Sequence, residues 1–191
     1  MEQIRGFIAI ELPPEITLKL GQLQAQMKAG EQPWVKWVKP KGIHLTLKFL
    51  GNMAAANTAA VTRAIKEATA GINPFPLEVK DLGVFPNPKR VQVAWVGING
   101  EVAKLNQIKA RLDANLAPLG FTPEARPFTP HLTLARLKIH ASPEQRQNFG
   151  RLITASHFEA GEIMVDAVSL MQSQLTPDGA IYTQLSSVRL G

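Results

Sequence analysis

The sequence contains no cysteine. That absence excludes disulfides, thiolate nucleophiles, iron–sulfur clusters and cysteine-ligated zinc. Long apolar runs are missing too: the longest are strand-sized and broken by Pro, Gly or Lys, too short to cross a membrane as a helix. The first residues carry Glu2 and Glu11 around a short apolar stretch, without the basic start and long uncharged region of a signal peptide, so a cytoplasmic setting is expected. Neither Gly-x-x-x-x-Gly-Lys-Ser/Thr nor Gly-x-Gly-x-x-Gly occurs, and Gly-x-Ser-x-Gly is absent. Nucleotide-driven chemistry and the commonest serine-hydrolase arrangement therefore have no support. Acidic residues are unevenly spread, with none in 32–66 or in 125–143.

What is present suits a folded chain of 191 residues, 45% of them hydrophobic. The balance of 21 Lys+Arg against 15 Asp+Glu gives +6 and favours an anionic partner. Arg5 to Leu12 reads as a buried strand closed by Pro13-Pro14. Ile16, Leu20, Leu23 and Met27 then follow at helical spacing, with Gly30 as the stop. Trp34 to Val38 and Ile43 to Leu50 read as strands, and Asn57 to Ala70 as a helix burying Val61, Ile65 and Ala68. Strands are expected at Phe75–Val84 and Arg90–Ile98. A helix with Leu105, Ile108, Leu112 and Leu116 on its buried face follows, stopped by Leu119-Gly120. Pro130 to Leu137 is another strand. Ser142-Pro143-Glu144-Gln145 is a capping-box pattern opening a helix to about Thr154. Strands near Phe158–Ala160, Ile163–Gln172 and Ile181–Leu190 complete the chain.

This order is not a regular βαβα alternation, and it predicts an α+β fold with mainly antiparallel sheets and outer helices. Strand, helix, strand, helix, strand recurs on either side of about residue 86. The expectation is one bilobal unit over 1–191, with lobes of roughly 1–86 and 87–191 that are free to exchange strands. A pseudo-twofold between the lobes would leave a cleft where they meet.

One tetrapeptide occurs in each half: His44-Leu45-Thr46-Leu47 and, 87 positions later, His131-Leu132-Thr133-Leu134. Strand side chains alternate, so each histidine shares a face with its threonine while the leucines point into the core. Two imidazoles across one cleft can serve as a base and an acid near neutral pH, and from the sequence alone the two roles are exchangeable. The carboxylate-free windows around both motifs, holding Lys36, Lys39, Lys41, Arg126, Arg136 and Lys138, point to an anion between them, with phosphate the natural candidate. The same depletion argues against a metal site, since Asp166 or Glu78 would have to return in three dimensions. His140 and His157 read as hydrogen-bonded structural residues.

These motifs and their flanks resemble the 2H phosphoesterases, and more narrowly the bacterial and archaeal RNA 2′,3′-cyclic phosphodiesterases, also called 2′-5′ RNA ligases. The resemblance runs through Arg5-Gly-Phe-Ile-Ala-Ile, His44-Leu-Thr-Leu-Lys-Phe-Leu-Gly51 and Phe85-Pro-Asn-Pro with Val93-Ala-Trp-Val-Gly97. It continues through Pro130-His-Leu-Thr-Leu-Ala-Arg136 to Leu170–Ser173, Gly179 and Tyr182. It implies a metal-independent enzyme that needs no cofactor and opens 2′,3′-cyclic phosphates at RNA ends, tRNA fragments among the candidates, to give 2′-phosphates. By the same resemblance His44 is the proton donor and His131 the proton acceptor. Thr46, Thr133 and Arg136 would bind the phosphate. Run in reverse with an RNA 5′-hydroxyl, the same residues would form a 2′-5′ linkage.

Strict alternation places Arg136 on the face opposite His131, so it reaches the phosphate only if the strand ends or bulges there. Phe7, Phe49 and Phe128 are candidates to stack an end base, with Trp34 and Trp37 weaker ones. Lys48 and Arg126 are candidates to follow the RNA backbone, together with Lys36, Lys39, Lys41, Lys89 and Arg90. A monomer without an obligate protein partner is expected, because one bilobal unit can form its own cleft. The competing readings are an enzyme acting on a small cyclic nucleotide or a cyclic ADP-ribose phosphate, a non-catalytic RNA-end binding protein, and a metal-dependent hydrolase.

Overall fold

The first apolar run forms β1 (Gln3–Ile10), buried from Gly6 to Ile10. Pro14 then opens α1 (Pro14–Met27), which buries Ile16, Leu20, Leu23 and Met27 at the expected helical spacing. The computed structural model describes residues 2–28, 31–177 and 179–191; Gly30, the expected helix stop, lies outside them. The chain continues through β2 (Val35–Trp37), a 3-10 turn at Pro40–Gly42, β3 (Leu45–Ala54), α2 (Thr58–Thr69) and β4 (Phe75–Phe85). After β4 come β5 (Val93–Gly100), α3 (Val102–Leu116) and β6 (His131–Leu137). The last elements are α4 (Pro143–Ala155), β7 (Glu159–Val165), β8 (Ala167–Thr176) and β9 (Gly179–Arg189). Among the described residues no helix is long and apolar enough to cross a membrane.

Local signals set most boundaries. Gly120 adopts φ 90° behind α3, a left-handed stop that an L side chain strains to reach. Ser142 accepts from the Gln145 N–H at 3.1 Å while Gln145 accepts from the Ser142 N–H at 2.8 Å, so the capping box that opens α4 is closed from both sides. The α3 face of Leu105, Ile108, Leu112 and Leu116 is wholly buried. Each of these side chains contributes roughly 1.5–3 kcal/mol through burial. One expected strand divides: Ile163–Gln172 breaks at Asp166, because the chain leaves one sheet there and enters the other.

The strands form two antiparallel sheets, one ordered β3-β1-β8-β9 and the other β2-β6-β5-β4-β7. Apart from the extra edge strand β2, the two orders are the same pattern: motif strand, first strand of its half, then two strands. In each sheet two members come from the other half of the sequence, β8 and β9 in the first, β2 and β4 in the second. Strand β4 follows α2 but pairs with β5 and β7, while β8 and β9 follow α4 and β7 but complete the sheet of β1 and β3. The helices cross over in the same way. The first-half α1 packs on β7 of the five-stranded sheet, whereas the second-half α3 packs on α2 and β3.

Candidate functional site

Each repeated motif sits at the start of a strand beside the first strand of its half. His44 immediately precedes β3, and His131 is the first residue of β6. The leucines Leu45, Leu47, Leu132 and Leu134 are fully or almost fully buried, while His44, Thr46, His131 and Thr133 are partly open on the opposite face. This alternation holds for the four motif residues and then fails at the same place in both strands. Ala9 lies opposite Thr46 but Ile8 lies opposite Lys48, leaving Leu47 as an extra residue in β3. Trp95 lies opposite Thr133 but Ala94 lies opposite Ala135, leaving Leu134 as the extra residue in β6. A bulge of this kind turns the side chains that follow it to the other face; in β3 a second irregularity at Leu50 turns the strand back.

The bulges decide two of the residue assignments. In β6 the bulge brings Arg136 back to the histidine face, where it is exposed and lines a cleft with His44. In β3 it sends Lys48 inward. Lys48 is 1% exposed, and its ammonium donates to Asp113 Oδ1 at 2.6 Å and to the Thr122 carbonyl at 2.9 Å. The expectation that Lys48 meets RNA is therefore corrected: simple alternation aimed it at the cleft, and the extra residue aims it at α3. Phe49, the next residue, takes the open position and is 61% exposed.

The cleft has a volume of about 410 Å³, and its walls include Arg5, Phe7, His44, Phe49, Arg136 and Tyr182. It thus joins residues of both halves. Phe7 is buried and stacks on the His44 ring, with centroids 4.6 Å apart and planes 26° from parallel, while Tyr182 meets the same ring edge-on at 4.9 Å. His131 lies on the strand that carries Arg136. Its ring is packed edge-on against Phe85 at 5.0 Å, with Trp95 at 6.3 Å. Trp95 lies flat over Gly83, where a Cβ would collide with the indole. Each imidazole is therefore fixed by aromatic neighbours.

The remaining candidates fall elsewhere. Arg126 and Phe128 line a separate pocket of about 340 Å³ with Lys109, Asp113 and Glu124, and are not among the residues that line the cleft of His44. The loop that carries them, between α3 and β6, folds back toward α3, and Lys109 lies 5.9 Å over the Phe128 ring. Trp34 and Trp37 both pack edge-on against Phe149 of α4, at 5.8 and 5.9 Å, because Trp34 lies before β2 and escapes its alternation. They belong to the core periphery. Lys36, Lys39, Lys41, Lys89 and Arg90 are exposed. His140 and His157 are exposed too and lie outside the strands, in the segments flanking α4, which corrects their reading as structural strand histidines.

Electrostatics distinguish the two histidines. Burial drives the His44 pKa down to about 4, although the backbone of Gly42 and the carboxylate of Glu11 pull it the other way. Glu11 is itself held by Ser169 and Gln184, at 2.8 and 2.7 Å. His131 is also lowered, first by burial; the Thr129 carbonyl opposes the shift and the charge of Arg136 adds to it. The Thr129 oxygen, 2.7 Å from His131 Nδ1, can only accept, so Nδ1 carries the proton and Nε2 is left with its lone pair. Burial raises the Tyr182 hydroxyl against the charges of Arg136 and Arg5. Among the described residues no three His, Asp or Glu side chains converge as metal ligands would; Asp166 pairs with Arg189, and Glu78 with Lys80.

Tyr182, Phe85, Trp95 and Glu11 act on the histidines from positions that the sequence marked only as flanks or strand ends. The one available signal was that Tyr182 is the sole tyrosine.

Comparison with known proteins gives consistent matches. The LigT-like phosphoesterase family model matches twice, over residues 10–95 and 96–182. A Methanothermobacter thermautotrophicus protein named RNA 2′,3′-cyclic phosphodiesterase is 32% identical over 98% of this chain and the whole of its own length. A protein of the same name from Aquifex aeolicus is 34% identical over 82% of each chain. Among solved structures, Escherichia coli LigT complexed with 3′-AMP superposes with a TM-score of 0.78 at 26% identity, covering 99% of both chains. A Thermus thermophilus structure gives 0.80 at 27%, covering 98% of both.

Proposed function

The chain belongs to the LigT-like phosphoesterase family, and from that premise we propose that it hydrolyses 2′,3′-cyclic phosphates at RNA ends to 2′-phosphates, with His44 as proton donor and His131 as proton acceptor. The observation that carries the reading is the cleft in which His44 of one half and Arg136 of the other face the same space. His131 Nε2, free because Nδ1 is committed to Thr129, takes a proton from water as its oxygen attacks phosphorus. The bond to the ribose 3′ oxygen breaks, and His44 protonates that oxygen as it leaves. Arg136 and the hydroxyls of Thr46 and Thr133 receive the charge that grows on the phosphoryl oxygens. Each proton transfer is worth about 10²–10⁴-fold in rate.

Placing the nucleoside on the His44 side suits the aromatic surround of Phe7, Phe49 and Tyr182, because the leaving oxygen belongs to that nucleoside. Reversal with an RNA 5′-hydroxyl in place of water gives the 2′-5′ linkage through the same residues. The reading includes a cytoplasmic monomer, and sedimentation of the purified protein checks its size.

The test is turnover of a short RNA ending in a 2′,3′-cyclic phosphate, in excess EDTA, with the product identified by phosphorus NMR. A 2′-phosphate that disappears in both His44→Ala and His131→Ala supports the mechanism. A folded wild type that leaves the RNA intact but opens a free nucleoside cyclic phosphate would move the substrate to small cyclic nucleotides.

A further inference from the structure

Gln24 lies on α1 with 1% of its surface exposed, among the apolar residues that dock this helix. A buried amide is costly unless its donors are satisfied. Both N–H groups of Gln24 are, and their partners lie outside the helix: the Val38 carbonyl at 2.7 Å and the Leu134 carbonyl at 3.0 Å. Leu134 is the extra residue of the β6 bulge, and its carbonyl also accepts from the Val38 N–H at 2.9 Å. The amide thus clamps the point where β2 ends to the point where β6 loses its alternation.

That point decides the side taken by Arg136, two residues further on. In a regular strand Arg136 would fall on the face of Leu132 and Leu134, both fully buried; with the bulge it is exposed and lines the cleft with His44. A leucine or methionine at position 24 would fill the same space, so what the amide adds is two donors aimed at the bulge. The other half ties its bulge in a parallel way. There Lys48, next to the extra residue Leu47, is held to Asp113 on α3, a helix from the opposite half of the sequence, as α1 is for β6.

We propose that Gln24 is a positioning residue for Arg136: by fixing the Leu134 bulge it keeps the guanidinium turned into the cleft beside His44. Gln24 itself touches no substrate. The inference rests on the cleft being the cyclic-phosphate site, and its test has one arm that does not depend on turnover.

In the first arm, Gln24→Met, Arg136→Ala and the double variant are assayed on a short RNA with a 2′,3′-cyclic phosphate end. Gln24→Met is expected to lower kcat/KM by about tenfold or more, through kcat as well as KM, since Arg136 would meet both the bound phosphate and the charge that grows on it. The same substitution should change little in the Arg136→Ala background, since the effect runs through the arginine. In the second arm, the His131 ring is titrated by proton NMR without substrate. Gln24→Met should raise its pKa as Arg136→Ala does, because both take the positive charge away. Gln24→Glu keeps the size and, when protonated, one of the two donors, and should fall between wild type and Gln24→Met; it also serves if Gln24→Met fails to fold. Losses that simply add in the double variant, or a His131 titration unmoved in a folded Gln24 variant, overturn the proposal. If wild type does not turn the RNA over, the catalytic reading fails, and the NMR arm still decides whether Gln24 sets Arg136.

Discussion

Phe49 and Arg136 occupy equivalent places: each stands five residues beyond its motif histidine, on a strand that bulges at the fourth motif residue, and each lines the same cleft. One half therefore offers an aromatic face where the other offers a guanidinium. A pseudo-symmetric scaffold becomes directional in this way: on the proposed function, a base would stack near His44 and Arg136 would meet the phosphate.

The two positions should separate in binding. Phe49→Ala is expected to weaken binding of a cyclic-phosphate RNA by about 1–3 kcal/mol, the range for loss of one stacked base, without altering the salt dependence. Arg136→Ala should weaken binding and also reduce the slope of log K against log salt by about one. Titrations at several salt concentrations give both quantities, and equal slopes for Arg136→Ala and wild type would contradict a phosphate contact.

The histidine pKa values set the pH dependence. With His44 as donor and His131 as acceptor, as proposed, the free enzyme is active with His44 charged and His131 neutral, yet His44 is lowered to about 4 and His131 lies below its usual 6.5. Above the His131 value nearly all molecules have both rings neutral, so the active fraction falls tenfold per pH unit. The kcat/KM profile should be highest on the acid side of 6.5 and decline with unit slope through neutrality. An entering phosphate anion favours both imidazolium forms, so kcat should hold to higher pH than kcat/KM. A kcat/KM that rises from pH 6.5 to 8 would refute this ordering.

The same burial links folding to pH. His44 has a folded pKa of about 4 against 6.5 unfolded, so the unfolded chain binds the proton more readily between these values. The associated stability, on the order of 3 kcal/mol, is present above pH 6.5 and is lost as pH falls toward 4. Urea midpoints at pH 7 and 4.5 should converge in His44→Leu more than in wild type. An unchanged difference between the two midpoints would show that His44 is not the group responsible.

Beneath β3, Asp113 serves two ammonium groups, Lys48 at 2.6 Å and Lys109 at 2.5 Å. Burial alone would raise its carboxyl, but the hydrogen bonds and charges of the two lysines hold it below the usual value. Asp113→Ala leaves both lysines without their counter-ion and is expected to cost about 3–5 kcal/mol in urea unfolding. Lys48→Met removes one cation and keeps the other pair, so a smaller loss than for Asp113→Ala is expected. Because Lys48 faces away from the cleft, its substitution should leave the salt slope of RNA binding unchanged.

Much of this was legible in the residues. Helices followed from apolar spacing, their ends from Gly120 and the Ser142 box, and the candidate histidine pair from a repeated tetrapeptide on two strands. The bulges were not legible. Leu47 and Leu134 are apolar residues at positions where alternation also expects one, so nothing in their identity marks an extra residue, and Lys48 was aimed at the wrong face in consequence. Gln24 was likewise hidden, since its role depends on a strand more than a hundred residues later in the chain. Sheet membership escaped for the same reason: periodicity reports which face of a strand is buried, not which strand lies beside it.

The exchange of strands has a bearing on how such a chain can be divided. A cut in the 86–92 loop leaves β1 and β3 without the two strands that complete their sheet, and leaves β5 and β7 without the one that lies between them. Each piece then exposes hydrogen-bonding edges that only the other piece fits. The two sequence halves are thus complementing fragments of one interlocked body, and the cleft takes its walls from both.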